Sequence, residues 1–171
     1  RGVSRYIPEG ECSIPAKKLL ATMNIMLRGL PFIYQGQEIG MLNNHLDSVS
    51  EFKDVVTFNN EKLFKKFGFS DATYLKIANR TSRENARTPV QWDKSKYAGF
   101  SSTQPWFSVN PNYTQINVKQ QEKDKDSILN YYRKLLKVRK ENKIFIYGDY
   151  KEHFPESNDF YVYERTYEGK R

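Results

Sequence analysis

The sequence predicts an α/β chain: the helix-then-strand half of a parallel βα barrel unit, a long helical excursion, and the first strands of an antiparallel sheet. Three observations carry this. An apolar stripe at helical spacing stops at Gly29 and is followed at once by the wholly apolar run 30–34, the pattern of a strand buried on both faces. Residues 41–81 then pass with no strand signal. Finally, 144–150 and 160–167 alternate as strands do.

In order, residues 1–12 read as a loop punctuated by Pro8 and Gly10. Ser13 as N-cap and Pro15 in the first turn open a helix over 13–28, with Leu19, Leu20, Met23, Met26 and Leu27 as its core stripe. Helix, Gly, short apolar strand and Gly-containing turn together make the barrel-type unit, and barrel enzymes place their sites just past such a strand's C-terminal end. Gln35, Gln37 and Glu38 stand there, either to face a ligand or, the preferred reading, to satisfy turn amides and neighbouring loop arginines.

The stretch 41–81 is too long for an idle connection and is read as helices covering a site. Asp47 or Ser48 can cap one helix through Val55, Asn59 or Asn60 a second to Phe67, and Ser70 with Asp71 a third to Asn79. Residues 82–93 follow, with Arg83 and Arg87 flanking Glu84 and Asn85, and Thr88-Pro89 stiffening the turn. Two guanidinium forks on a stiff polar turn can hold hydroxyls or carboxylates; equally, they can staple the loop to its own surroundings. Residues 93–125 return to loop character, and Trp92, Phe100, Trp106 and Phe107 are expected to pack inside rather than stack on a ligand. Asp126 is expected to cap a helix from Ser127 to about Asn142, with Ile128, Leu129, Tyr132, Leu135, Leu136 and Val138 inward. Its Arg133, Lys134, Lys137 and Lys140 face water, and Arg139 suits its negative pole.

The formal charge of +8 comes from 28 basic against 20 acidic residues interleaved along the chain, with no basic run. That argues against a nucleic-acid partner. No apolar run approaches the length of a membrane span, and the single Cys12 excludes an internal disulfide framework and fits a reducing compartment. His45 and His153 lie far apart with no ligand spacing, so no metal is expected. The first residues carry no leader-like apolar core, and a start without Met together with an unfinished sheet reads as a piece of a longer protein.

Ser82-Arg83-Glu84-Asn85-Ala86-Arg87-Thr88-Pro89-Val90-Gln91-Trp92-Asp93 resembles the Arg-Asp-Asn-(Ala/Ser)-Arg-Thr-Pro-Met-Gln-Trp signature of oligo-1,6-glucosidases and related α-glucosidases, glycoside hydrolase family 13 of the α-amylase superfamily. Residues 30–41 resemble that family's last barrel strand and its turn, while Ala98-Gly99-Phe100 and 105–113 resemble the segment leading into its final helix. The resemblance spans essentially the whole chain. It implies that 1–142 is the C-terminal part of a (β/α)8 barrel, the last βα unit with its excursion, and that 143–171 starts a C-terminal β-domain. It further implies a retaining α-glucosidase acting on α-1,6 or α-1,4 bonds of short oligosaccharides, without a cofactor. Such chemistry needs a nucleophilic aspartate and a glutamic acid about 5 Å apart. With a third carboxylate, these lie on the family's earlier strand ends, so none of the catalytic residues belongs to this chain, which alone should be inactive.

By the same resemblance Arg83 binds hydroxyls of the sugar at the cleaved subsite and pairs with the catalytic-site carboxylates. Arg87 orients its loop, while Val56 and Gln35 shape the site. The chain departs from the pattern at Glu84, usually Asp, at Gln37, usually Glu, and at Val56, where enzymes preferring 1,6-linkages often carry an acid. Implied partners are a glucose-containing oligosaccharide and the missing N-terminal part of the same protein, with self-association as a further option for a unit with open strand edges. The implied setting is cytoplasmic. Trehalose-6-phosphate hydrolase, dextran glucosidase and sucrose isomerase are family alternatives, and a noncatalytic carbohydrate-binding module is the alternative outside catalysis.

Overall fold

Ser13 accepts a hydrogen bond from the Ala16 amide at 3.4 Å and so caps α2, Ile14–Met26, with Pro15 in its first turn. The computed structural model describes residues 2–8 and 10–171, and in it this helix contributes Ala21, Ile25 and Met26 to a buried core. Before it, part of the expected opening loop is a short α1, Gly2–Tyr6. Ala21, Ile25 and Met26 of α2 pack on Ile128, Tyr132 and Leu135 of α6, Ile128–Glu141, and Thr22 Oγ1 meets the Tyr131 hydroxyl at 2.8 Å. The expected core stripe is displaced: Leu19 is 62 % exposed and Met23 is also open, because α6 covers only the neighbouring face.

Residues 30–34 form no strand, which corrects the sequence expectation. A parallel strand exists only by exchanging hydrogen bonds with a neighbour, and no described segment lies alongside. Leu30 and Phe32 are each 77 % exposed. The turn that follows is nonetheless well fixed. Gly40, at φ +66°, leaves room where a Cβ would come within 2.7 Å of Ile128 and 2.9 Å of Lys17. Ile39 and Met41 are fully buried against Leu129.

The excursion is helical as expected, but one cap differs. Ser48 caps a 3-10 turn, Val49–Glu51, and Asp54 caps α3, Val55–Lys66, so Asn59 and Asn60 lie inside that helix. Ser70 caps α4, Asp71–Thr81. Val49, Phe52, Tyr74 and Ala78 close the core beneath them. Further on, Gln91, fully buried, donates to Asn112 Oδ1 at 2.9 Å and to the Ile116 carbonyl at 2.6 Å, pinning the loop 92–117. Within the region read as loop, Asn117 caps a short α5, Val118–Lys123. Its Lys, Gln and Glu residues carry no apolar stripe, so periodicity does not reveal it.

The cap of α6 is Ser127, whose hydroxyl accepts from the Asn130 amide at 3.2 Å, not Asp126. Lys143–Tyr147 is a helix, α7, where a strand was expected; Gly148 ends it, since a Cβ there would sit 2.4 Å from the Ile144 carbonyl oxygen. The two strands are β1, Asp149–His153, and β2, Val162–Thr166, antiparallel with Tyr150 opposite Arg165. Arg165 reaches from β2 to the Met26 and Gly148 carbonyls, and Arg139 of α6 reaches those of Ile25, Leu27 and Gly29, so both close the C-terminal end of α2. Arg139 thus serves the negative pole of a neighbouring helix rather than its own. Among the described residues, no helix is long and apolar enough to cross a membrane.

Candidate functional site

Ser82 ends α4 and caps the 3-10 turn Arg83–Ala86 by accepting from the Glu84 amide at 3.2 Å. That turn divides its side chains between the interior and the surface. Glu84 and Asn85 point inward and are buried, while Arg83 and Arg87 emerge. The Glu84 carboxylate accepts from the backbone amides of both Lys53 and Asp54. Asn85 accepts from the Asn44 amide at 3.0 Å and donates to the Asn79 carbonyl at 2.8 Å. The loop is thereby fixed to residues 44–54 by charge-assisted and amide bonds rather than by apolar packing.

The consequence is the placement of Asp54. Its buried carboxylate accepts from Arg83 Nε, from Arg83 Nη2 at 2.9 Å and from Arg87 Nη1 at 3.3 Å, and caps α3 through the Val56 amide at 3.0 Å. The Arg83 hydrogen bond, helped by the Val56 amide and both positive charges against the opposing effect of burial, holds the carboxyl at about 2. The Asp54 side chain is 3 % exposed, whereas those of Arg83 and Arg87 are 57 % and 43 % exposed. A guanidinium has five donors in a fixed fork; Arg83 uses two on Asp54 and Arg87 one. Two oriented cations with donors to spare among the described residues, gripped by a carboxylate held well below the usual range, can bind hydroxyls or carboxylates in a set geometry.

A cavity of about 180 Å³ opens beside Arg83, walled by Asp54, Val56, Thr57, Asn60, Tyr74 and Ser82 among others. The structure therefore brings together Arg83, Arg87 and Val56. Gln35 is exposed on the turn after residue 34 and is not part of that cavity's wall. Gln37 donates to the Tyr132 hydroxyl at 3.0 Å and accepts from the Tyr34 amide at 3.3 Å, the role expected of it. Glu38 departs from expectation: among the described residues its Oε2 is buried without a hydrogen-bond partner, and no loop arginine reaches it.

The aromatic residues expected inside lie largely outside. Trp92, Phe100 and Trp106 are exposed, Trp106 at 79 %, with its ring stacked 6.4 Å from that of Phe107. Polar loop bonds, such as those of the Trp92 and Asp93 amides to the Ala98 carbonyl, hold this region without needing the rings as core. The residue that sequence reasoning missed is Asp54. The signal was its place just before Val55-Val56, an N-cap position that leaves a carboxylate free to meet the arginines.

Residues 1–148 match the family description "Alpha amylase, catalytic domain". The oligo-1,6-glucosidase of Bacillus cereus is 43 % identical over 169 residues, 98 % of this chain and 30 % of the relative. That of Halalkalibacterium halodurans is 41 % identical over 170 residues, again 30 % of its length. Among solved structures, the trehalose-6-phosphate hydrolase of Bacillus licheniformis superposes with a TM-score of 0.91 at 40 % identity, over 97 % of this chain and 30 % of that one. The chain thus spans about 30 % of the length of the relatives it matches. The match takes in α2, the long excursion and α6, well over half of the chain, and this chain belongs to the α-amylase family.

Proposed function

We propose that this chain forms part of a retaining α-glucosidase that hydrolyses α-1,6, and in the alternative α-1,4, glucosidic bonds of short oligosaccharides. The observation that carries the reading is the Asp54 clasp, which fixes Arg83 in the wall of a cavity, with three of its five donors making no hydrogen bond among the described residues. In this reading those donors hold hydroxyls of the glucose ring whose bond is cleaved, and a guanidinium that never loses its proton also steadies the nearby reacting carboxylates. The nucleophile and the acid, about 5 Å apart, come from the rest of the barrel. Arg87, bonded to the same acid, keeps the fork from turning, and Val56 presents an apolar wall on the acceptor side. A cytoplasmic setting and imported oligosaccharides belong to the same proposal.

The test is a chimaera in which this chain replaces the matching 169 residues of the Bacillus cereus oligo-1,6-glucosidase. Isomaltose and p-nitrophenyl α-glucoside should be hydrolysed, the 171-residue chain alone should be silent, and Arg83→Ala should abolish most of the chimaera's rate. Trehalose-6-phosphate is assayed alongside, because hydrolases of that name are among the relatives. A folded chimaera that cleaves no α-glucoside would end this reading.

A further inference from the structure

The cavity beside Arg83 has a wall residue that neither the fold nor the Asp54 clasp uses. Val56 and Asn60 stand one helical turn apart on α3, so they share a face, and both belong to the cavity's wall together with Arg83. At about 180 Å³ the space is smaller than the roughly 300 Å³ at which pockets for drug-sized ligands begin, so it admits one sugar ring and not a chain of them. Apart from Arg83 and Asn60, the polar groups of this wall are engaged. Asp54 holds the two arginines. The Tyr74 hydroxyl donates to the Thr57 carbonyl, and Thr81 Oγ1 to that of Ile77. Ser82 Oγ accepts from the Glu84 amide and lies 3.5 Å from Thr57 Oγ1. The Asn60 side chain is exposed and, among the described residues, makes no hydrogen bond. Nor does it serve α3, since asparagine in mid-helix is a poor helix former that competes for backbone partners.

We propose that Asn60 is a specificity-determining residue, whose amide hydrogen-bonds a hydroxyl of the sugar on the acceptor side of the cleaved bond. This role rests on the reading of Arg83 given above. With the cleaved glucose held at Arg83, the ring that follows it lies along Val56 and meets Asn60 one turn further on. Val56 offers that ring neither donor nor acceptor. A side-chain amide offers both, which is what a sugar hydroxyl matches, since it donates once and accepts in turn. An acceptor-side group without hydroxyls gains nothing at Asn60. Substrates that share the cleaved glucose are thus told apart by a hydrogen bond, a sharper criterion than apolar fit.

The test uses the chimaera with the Bacillus cereus oligo-1,6-glucosidase and two substrates. Isomaltose carries a sugar on the acceptor side; p-nitrophenyl α-glucoside carries a ring without hydroxyls there. Asn60→Leu should raise KM for isomaltose about five-fold or more, the scale of one lost hydrogen bond. Its kcat should change little, because the bond is made alike in the ground state and the transition state. KM for p-nitrophenyl α-glucoside should stay within about two-fold. Asn60→Gln, which keeps the amide, should recover part of the loss on isomaltose. Leucine is the better helix former, so the melting temperature of Asn60→Leu should not fall, and a selective rise in KM cannot come from unfolding. Equal effects on the two substrates, or none on isomaltose, would overturn this role for Asn60 and leave the α-glucosidase reading intact. A folded chimaera that cleaves neither substrate would end both.

Discussion

Arg83 and Arg87 share an acid; among the described residues, Arg139 and Arg165 pair with none. The first pair meets the buried Asp54 carboxylate and stays about half exposed. The second pair is 7 % and 5 % exposed and, among the described residues, bonds only to backbone carbonyls: Ile25, Leu27 and Gly29 for Arg139, and Met26, Phe145, Gly148 and Asp149 for Arg165. Burial, and after it the charge of Arg139, pushes the Arg165 guanidinium below its ordinary value. The difference separates two uses of one side chain. Where carbonyls take up the fork, the cation is structural and its donors are used. Where a single acid orients the fork and leaves donors over, the cation is available to a ligand.

The sharpest way to break that contrast is to remove a carbonyl-bound arginine. Arg165→Ala should cost about 3 kcal/mol or more, since several carbonyls at the end of α2 and around α7 lose their donor at once. Arg139→Ala should fall in the same range, and Arg165→Lys should recover only part, because an ammonium cannot span carbonyls set apart as these are. Urea denaturation of the chimaera reads all three. A cost under about 1 kcal/mol for Arg165→Ala would mean the buried pair is as loosely used as the exposed one.

The converse change is Arg83→Ala. It should lower the rate on isomaltose about a hundred-fold or more, the scale for losing an oriented donor at a reacting centre. Stability should move by about 1 kcal/mol or less, as for half-exposed ion pairs. Arg83→Lys keeps the charge and loses the fork, so most of the rate should still be lost. A lysine variant as active as the wild type would make Arg83 a diffuse charge rather than a positioned one.

The contrast also explains what could be read in advance. Ser13 and Ser70 announce α2 and α4 because a cap is a local event, settled within three residues. The Arg83 cluster was half legible: the spacing of the arginines and the stiff Thr88-Pro89 turn singled out the loop. Its partner Asp54 lies 29 residues earlier, and nothing local ties the two. The carbonyl-bound pair was not legible at all. Arg139 sits at the end of its own helix, whose negative pole is the natural partner to assign it, and its actual partners are more than a hundred residues away. Residues 30–34 failed for the opposite reason. Their composition is that of a strand, but a strand is a property of a pair of segments.

Acid gives the finest test of the two uses. The Asp54 carboxyl lies at about 2, below its ordinary 3.8, so the folded state favours the charged form. A depressed carboxyl contributes stability that is fully present above about pH 4 and is lost as pH falls through about 2. Because both arginines are half exposed and screened, that contribution is about 1 kcal/mol. Comparing the wild type with Asp54→Asn cancels the titration of other acids. The gap between them should hold steady from pH 7 to about 4, then close toward pH 2, and added salt should narrow it modestly at neutral pH. The penalty for Arg165→Ala should stay flat over the same range, because neither a guanidinium nor a backbone carbonyl titrates there. A gap for Asp54→Asn that ignores pH would assign the carboxylate to capping α3 through the Val56 amide alone, and the hold on Arg83 would have to come from elsewhere.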